Sequence, residues 1–461
     1  MRKVFSVLLV FSLLLSCFGV ASLAADTDPF RVVATPYEDG IGLHWYTKED
    51  VEIIAKIDEY SYTSRGELFQ GNYAHGVALV ELAPGPHTYE VGGVTGTFNA
   101  NPGKGEAFSF IATGDVQASD KAGFDYSAAV HRAAWEQFPD AAFSVILGDH
   151  TNDSDNDQWD LFFESFAPTL AKGALVPIAG NHDGNLKWNW FRSMFTLKEP
   201  DNFTSNMTGV YYSFDYGDAH IAVLNTNDMY PMSIAQQNWL VNDMKASDAK
   251  WKLVFMHRAP YSAGNDANLP DNLIMRRVLI PLFDKVGVDL VMYGHDHQYV
   301  RTVPMKADKP FPGIRVYVGQ GDDRVDYIVY YPTDVDGTVY ILPGAAANKR
   351  YAMHDNMLPN IKAAMAKHEE PGKPIFTGIS IDGGTLTYQA FTYDPATQAA
   401  EAYDSVTLTK TTFAGADPGF KPLPTDIIST LPQQVMSFFS MVFNVVVSDY
   451  LFTLLPGMIG G

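Results

Sequence analysis

A chain of 461 residues exceeds what one ordinary core supports, which predicts two domains or a large one with additions. Its 46% hydrophobic and 13% aromatic residues are enough to fill a packed interior, so wholesale disorder is excluded. A net charge of −21, from 32 basic and 53 acidic residues with no basic stripe, repels polyanions and argues against long nucleic acid as a substrate.

Arg2 and Lys3 precede an apolar run over residues 4–15, and Ser22-Leu23-Ala24 offers small residues for cleavage, so residues 1–24 read as an export signal. The run is short for a membrane span. Cys17, the only cysteine, lies inside this segment, so the mature chain is expected to carry no thiol ligand, thiol nucleophile or disulfide. Leu14-Leu15-Ser16-Cys17 loosely follows a lipoprotein box, but Leu15 fits poorly, and a lipid anchor at Cys17 is the lesser expectation.

Residues 26–103 predict a small all-β sandwich. The β-prone runs 31–34, 41–46, 51–57, 77–82 and 87–91 are separated by turn signals such as Asp39-Gly40 and Pro84-Gly85-Pro86. Alternation in Ile41-Gly42-Leu43-His44-Trp45 predicts a strand with one buried face. Asn101-Pro102-Gly103-Lys104-Gly105 marks a domain boundary.

Over residues 104–412 strands alternate with helices, which predicts a layered α/β domain. Strands are expected at 108–113, 142–147, 175–179, 211–214, 220–225, 253–256, 290–293, 315–318, 376–381, 385–390 and 405–409. Helices are expected at 124–138, through Trp159 and Phe166, and at 271–286, with a further one begun by a Ser233/Gln236 capping box. Gly321-Asp322-Asp323 with Tyr327, Tyr330 and Tyr331 reads as an acidic solvated loop or a rim that selects substrate. Residues 413–461 form an apolar tail interrupted by Ser437, Ser440, Asn444, Ser448 and Asp449. This pattern predicts a helix packed on the body or a partner in preference to a membrane-surface element.

A series of short stretches places a metal-ligating side chain just after an apolar strand. They are Gly114-Asp115-Val116-Gln117, Gly148-Asp149 with Asn152 trailing it, Gly180-Asn181-His182-Asp183, His257-Arg258 and Gly294-His295-Asp296-His297. Singly, Asp115, Asp149 and Asn181 read as strand-end caps, and each histidine as a satisfied or exposed side chain. As an ordered set, they are the carboxylate, amide and imidazole groups that a pair of divalent metals needs. His131, on a predicted helix, reads as structural, and His150 is expected to point away from the site.

In this order, and with Ala259-Pro260-Tyr261 following Arg258, the motifs resemble secreted metallophosphoesterases similar to purple acid phosphatases over residues 30–410. Leu82-Ala83-Pro84-Gly85 through Tyr89 is similar to that family's N-terminal signature. The resemblance implies a fibronectin III-like or Ig-like module followed by a calcineurin-like domain, a β-sandwich flanked by helices. It implies that Asp115, Asp149 and His297 hold one metal and that Asp149, Asn181, His257 and His295 hold the other, with Asp149 shared. The ions would be two divalent or mixed-valence metals drawn from Zn, Mn or Fe. Metal-bound hydroxide would attack phosphorus directly, His182 would protonate the leaving alkoxide, and Asp183 would orient His182. Arg258 would contact phosphate or serve a structural ion pair.

Two positions depart from the family pattern. Gln117 stands where relatives often have histidine, and Asn152 where the purple subgroup has a metal-binding tyrosine, so a ferric–tyrosinate colour is not expected. Their carbonyl oxygens are weaker ligands, and each residue is either a ligand or a neighbour of one. The reading that emerges is an exported two-metal hydrolase of small phosphomonoesters or phosphodiesters. The alternative is a non-catalytic cell-surface binding protein with a retained structural metal site. The tail adds a candidate contact with membrane or protein.

Overall fold

The computed structural model describes residues 27–410 except 185–189, 201–209, 228–231, 311–313, 319–324, 331–336 and 355–356. The export run, Cys17, the Gly321-Asp322-Asp323 loop and the apolar tail lie outside the described residues. Eight strands between Phe30 and Ala100 form two four-stranded antiparallel sheets. One sheet is ordered Phe30–Tyr37, Gly40–Thr47, Asn72–Leu79, Glu67–Phe69, and the other Tyr60–Arg65, Glu52–Ile57, Gly85–Val91, Val94–Ala100. The Asp39-Gly40 signal marks a tight hairpin, with Tyr37 paired to Gly40.

The strand Gly40–Thr47 departs from the expected single buried face, because both of its faces are covered. On the outer side, His44 Nδ1 lies 3.1 Å from Thr196 Oγ1 and the Tyr46 hydroxyl donates to the Ser193 carbonyl. Burial in this seam pushes the His44 pKa down to about 3, so the imidazole is neutral. Arg31 completes the junction through Asp160 at 2.8 Å. The alternating pattern could not show this contact, because residues 193–196 belong to the second domain.

That second domain stacks two sheets. The eight-stranded sheet runs Ala174–Pro177, Phe143–Ile146, Phe108–Thr113, Ile375–Asp382, Thr385–Asp394, Ala399–Lys410, Val325–Tyr330, Ile314–Val318. The seven-stranded sheet runs Tyr212–Tyr216, Ala219–Val223, Trp251–Phe255, Leu290–Met292, Val339–Pro343, Tyr299–Thr302, Met365–Glu369. Aromatic side chains interlock between them: the Phe110 and Phe255 rings lie 5.8 Å apart, as do those of Phe143 and Phe214.

Helices cover the outer faces, and their starts follow capping chemistry. Asp120 accepts from Gly123 N at the head of Lys121–Gln137, three residues earlier than apolar spacing predicts. Asp155 caps Asn156–Leu170 in the same way. Ser233 caps Ile234–Ala246 by accepting from Gln236 N, but the box is only half formed. The Gln236 amide instead bonds the backbone of Asn225, with Nε2 donating to its carbonyl and Oε1 accepting from its N–H, both at 2.9 Å. Gln236 thus satisfies a strand end beside the site.

Register decides where the site falls. Thr113 pairs with Ile146, and Ile146 with Pro177, all in parallel strands. In the other sheet Val223, Phe255 and Met292 are likewise aligned. Six parallel strands, three in each sheet, therefore end at one level, and the loops that leave them share one edge of the sandwich.

Candidate metal centre

Five of the six loops at that edge carry the side chains singled out in the sequence; the sixth, after Ala219–Val223, brings Asn225 and Thr226. His257 leaves Trp251–Phe255 buried, and its Nδ1–H donates to the Leu147 carbonyl at 2.9 Å. This bond turns Nε2 toward two oxygens, Asn181 Oδ1 at 3.0 Å and Asp149 Oδ1 at 3.4 Å. Burial opposes a charge on the His257 imidazole, but Asp149 and Asp115 outweigh it and raise its pKa to about 9. Burial likewise opposes ionisation of Asp149, and the His257 charge beside it holds this carboxyl well below the usual range. His295 is driven the other way, by burial first and then by the charges of His257 and Arg258.

One ligand atom each from Asp149, His257 and His295 lies within 4.8 Å of the others. Asn181 adds its oxygen to the same point through His257. Oxygens and imidazole nitrogens drawn around positive charge, with no thiolate, fit a borderline or hard divalent cation. The donor set therefore suits the metal that the sequence motifs call for.

Asp115 and His297 form the adjoining pair. His297 Nε2 lies 3.2 Å from Asp115 Oδ2, and its Nδ1–H donates to the Lys349 carbonyl at 3.0 Å. The His295 backbone N–H donates to Asp115 Oδ1 at 2.9 Å, so one carboxylate ties both halves of the Gly294–His297 loop. His257 and His297, each with Nδ1 held by a carbonyl, thus present Nε2 to a carboxylate, an arrangement that orients metal-binding imidazoles. Asp149, His295 and His297 have φ of +49°, +82° and +54°, a sparsely populated backbone region. The glycines before them are required by space. A Cβ on Gly148 would lie 2.2 Å from His257 Nδ1, and one on Gly294 would lie 2.2 Å from Asp115 Oδ1.

The remaining candidates occupy distinct places. Gln117 donates its backbone N–H to the Asp149 carbonyl at 2.6 Å, while its Oε1 accepts from Lys349 Nζ at 3.1 Å. The Asn152 side chain turns away and donates to Asp153 Oδ2 at 3.0 Å; what reaches the site is its carbonyl, which accepts from His182 Nδ1 at 2.6 Å. His182 N also donates to Asp149 Oδ1 at 2.8 Å. Arg258 flanks the centre, with Nη1 3.5 Å from His295 Nε2 and its backbone N–H on Thr226 Oγ1.

Asp183 corrects an expectation. It does not orient His182, because adjacent residues on the helical turn Asn181–Gly184 point in different directions. Its carboxylate accepts from Gly180 N at 2.8 Å, Thr151 N at 3.1 Å and His150 Nδ1 at 2.9 Å, beneath the site. His150 does point away, into the rings of Trp159, Phe162, Phe191 and Phe195. Sequence reasoning missed Lys349 and also Tyr351, whose ring stacks on His297 at 4.4 Å. Their only signal was the apolar run 339–343 ending in Gly344, the same strand-then-glycine pattern as the other motifs. The Leu147 and Lys349 carbonyls have no sequence signal at all.

Residues 108–299 match the family model described as calcineurin-like phosphoesterase. An uncharacterized protein of Mycobacterium tuberculosis is 29% identical over 169 residues, covering 32% of this chain, and the chain spans 31% of that relative's length. Purple acid phosphatase 21 of Arabidopsis thaliana is 23% identical over 310 residues, covering 60% of this chain and 67% of its own. Among solved structures, purple acid phosphatase PPD1 from yellow lupin seeds superposes with a TM-score of 0.65 at 16% identity, covering 84% of this chain and 75% of that one. PhoD superposes at 0.59 with 13% identity, covering 85% and 94%. The fold, N-terminal antiparallel β-sheets followed by a mixed α/β domain, matches these structures.

Proposed function

We propose that this protein is an exported dinuclear-metal phosphoesterase hydrolysing small phosphomonoesters or phosphodiesters. The observation that carries the reading is the convergence of Asp149, His257 and His295 within 4.8 Å, beside the Asp115–His297 pair. Asp149, Asn181, His257 and His295 would hold one cation, and Asp115, Asp149 and His297 the other. Such ions supply positive charge to phosphoryl oxygens and acidify a water molecule.

The chain's own residues do the rest. Arg258 places a guanidinium at the rim beside His295, where a phosphoryl oxygen would need a donor. The Asn152 carbonyl can only accept, so it fixes a proton on His182 Nδ1 and leaves Nε2 as the atom that exchanges one. His182 is only partly buried, in reach of a leaving group arriving from solvent. A merely structural metal site has no use for such an acid. Export is supported by Arg2, Lys3 and the apolar run behind them. Among the described residues, no helix is long and apolar enough to cross a membrane.

The test is metal analysis of the purified protein alongside rates on a matched phosphomonoester and phosphodiester, with Asp149→Ala as the control. Metal in the wild type with turnover of at least one ester is expected, and loss of both in the variant. A wild type loaded with metal yet inert to both esters rejects hydrolysis. For the tail 413–461 we propose contact with a partner or a lipid surface; truncation after Asp417 that alters neither assembly nor localisation removes that idea.

A further inference from the structure

Residues 347–351 leave Val339–Pro343 and run along one wall of the metal centre. Ala347 N donates to the Asp115 carbonyl at 2.9 Å, and the Lys349 carbonyl accepts from His297 Nδ1 at 3.0 Å. The strap is therefore tied by backbone bonds to the Asp115–His297 pair. Lys349 sends its side chain back toward the same pair, where Nζ meets Gln117 Oε1 at 3.1 Å and lies 5.3 Å from the centroid of the Tyr351 ring. Gln117 is itself only 7% exposed, so the amide that aims the ammonium belongs to the wall of the site.

We propose that Lys349 is a specificity-determining residue that reads substrate charge, binding the additional anionic oxygen that distinguishes a phosphomonoester from a phosphodiester. The inference rests on the phosphoesterase reading above. A monoester near neutral pH carries close to two negative charges on three terminal oxygens, because its second pKa is about 6. A diester carries one charge on two oxygens. Gln117 contributes an uncharged oxygen, which orients the ammonium without neutralising it, and the Tyr351 face supports a cation at that distance. Arg258 flanks His295, whereas Lys349 stands with Gln117 and His297, so the two cations address different ligands of the centre. On a chain of net charge −21, a dianion needs such local positive charge.

The experiment compares metal-loaded wild type, Lys349→Met and Lys349→Arg. Metal content is measured, inorganic phosphate binding is followed by calorimetry, and kcat/KM is determined for 4-nitrophenyl phosphate and bis(4-nitrophenyl) phosphate. Lys349→Met should keep its metal while phosphate affinity and monoester kcat/KM both fall about 10–100-fold, the range for one hydrogen bond to a charged group. Diester kcat/KM should change by no more than about 3-fold, since the lost charge has no oxygen there to meet. Lys349→Arg should recover most of the loss. Unchanged phosphate affinity, an equal fall for both esters, or loss of metal in Lys349→Met overturns the proposal. A wild type that hydrolyses neither ester, yet loses phosphate affinity on Lys349→Met, would refute hydrolysis while sustaining the anion-binding role of Lys349.

Discussion

The Asp183 carboxylate and His150 Nδ1 lie 2.9 Å apart, with both side chains fully buried, beneath the metal centre. The acid that follows His182 in sequence therefore holds the loops that carry Asp149 and Asn181. Replacing it with alanine strands the His150, Gly180 and Thr151 donors in a dry interior. We expect Asp183→Ala to lose about 3–5 kcal/mol of stability, the cost of leaving three buried donors unpaired at roughly 1–3 kcal/mol each. Thermal and denaturant melts check this. An unchanged melt accompanied by the same fall in turnover as His182→Ala would restore Asp183 as a partner of His182.

His182 is predicted to act on the leaving group, with Asn152 fixing its tautomer. His182→Ala should retain its metals and lose about 10²–10⁴-fold in kcat on an alkyl phosphate, the usual range for general acid loss. The deficit should shrink on 4-nitrophenyl phosphate, whose leaving group needs no proton. Equal deficits on both substrates would reject His182 as the acid.

Space at the strand ends yields a third prediction. Gly294→Ala would place a Cβ 2.2 Å from Asp115 Oδ1, at a contact no real side chain makes. The loop must shift, separating Asp115 from His295 and His297, so metal content should fall even if the protein still folds. Gly287→Ala is the control, since a Cβ there meets no atom within 4 Å although its φ of +72° costs some strain. Full metal occupancy in Gly294→Ala would show that the loop tolerates what its packing forbids.

His220 supplies a pH-dependent contribution away from the site. Its Nδ1 lies 2.7 Å from Asp215 and its Nε2 2.9 Å from Asp243, which lies on the helix Ile234–Ala246. Burial disfavours its charge, but the two carboxylates outweigh that and raise its pKa to about 9. A folded pKa above the unfolded value of about 6.5 means stabilisation that is complete below that value and lost as pH rises through 9. The gap in stability between wild type and His220→Gln should be on the order of 2 kcal/mol in mild acid, discounted for the exposed Asp215. It should narrow in alkaline buffer. A gap independent of pH would show that His220 contributes by packing alone.

Much of this was legible along the chain because strand ends and ligands are local. An apolar run followed by glycine and then Asp, Asn or His marks both a change of backbone direction and a ligand, as in Phe108–Thr113 before Asp115 and Leu290–Met292 before His295. Burial ran the other way at Gly40–Thr47, where alternation predicted an open face and the second domain closed it through Thr196 and Ser193. The strands Tyr299–Thr302 and Val339–Pro343 escaped notice because each is short and pairs with the other in space, antiparallel inside the second sheet.

The amino-acid order alone thus determined which side chains gather at the strand ends, since candidate ligands and the turns that present them are written within a few residues of each other. Only the folded chain decided their division of labour. Whether Asp183 faced His182 or His150, whether Gln117 met a lysine, and which carbonyls turned His257 and His297 depended on partners up to 232 positions away, counting Gln117 to Lys349. Such pairings are set by the register and stacking of two sheets, which no local pattern encodes.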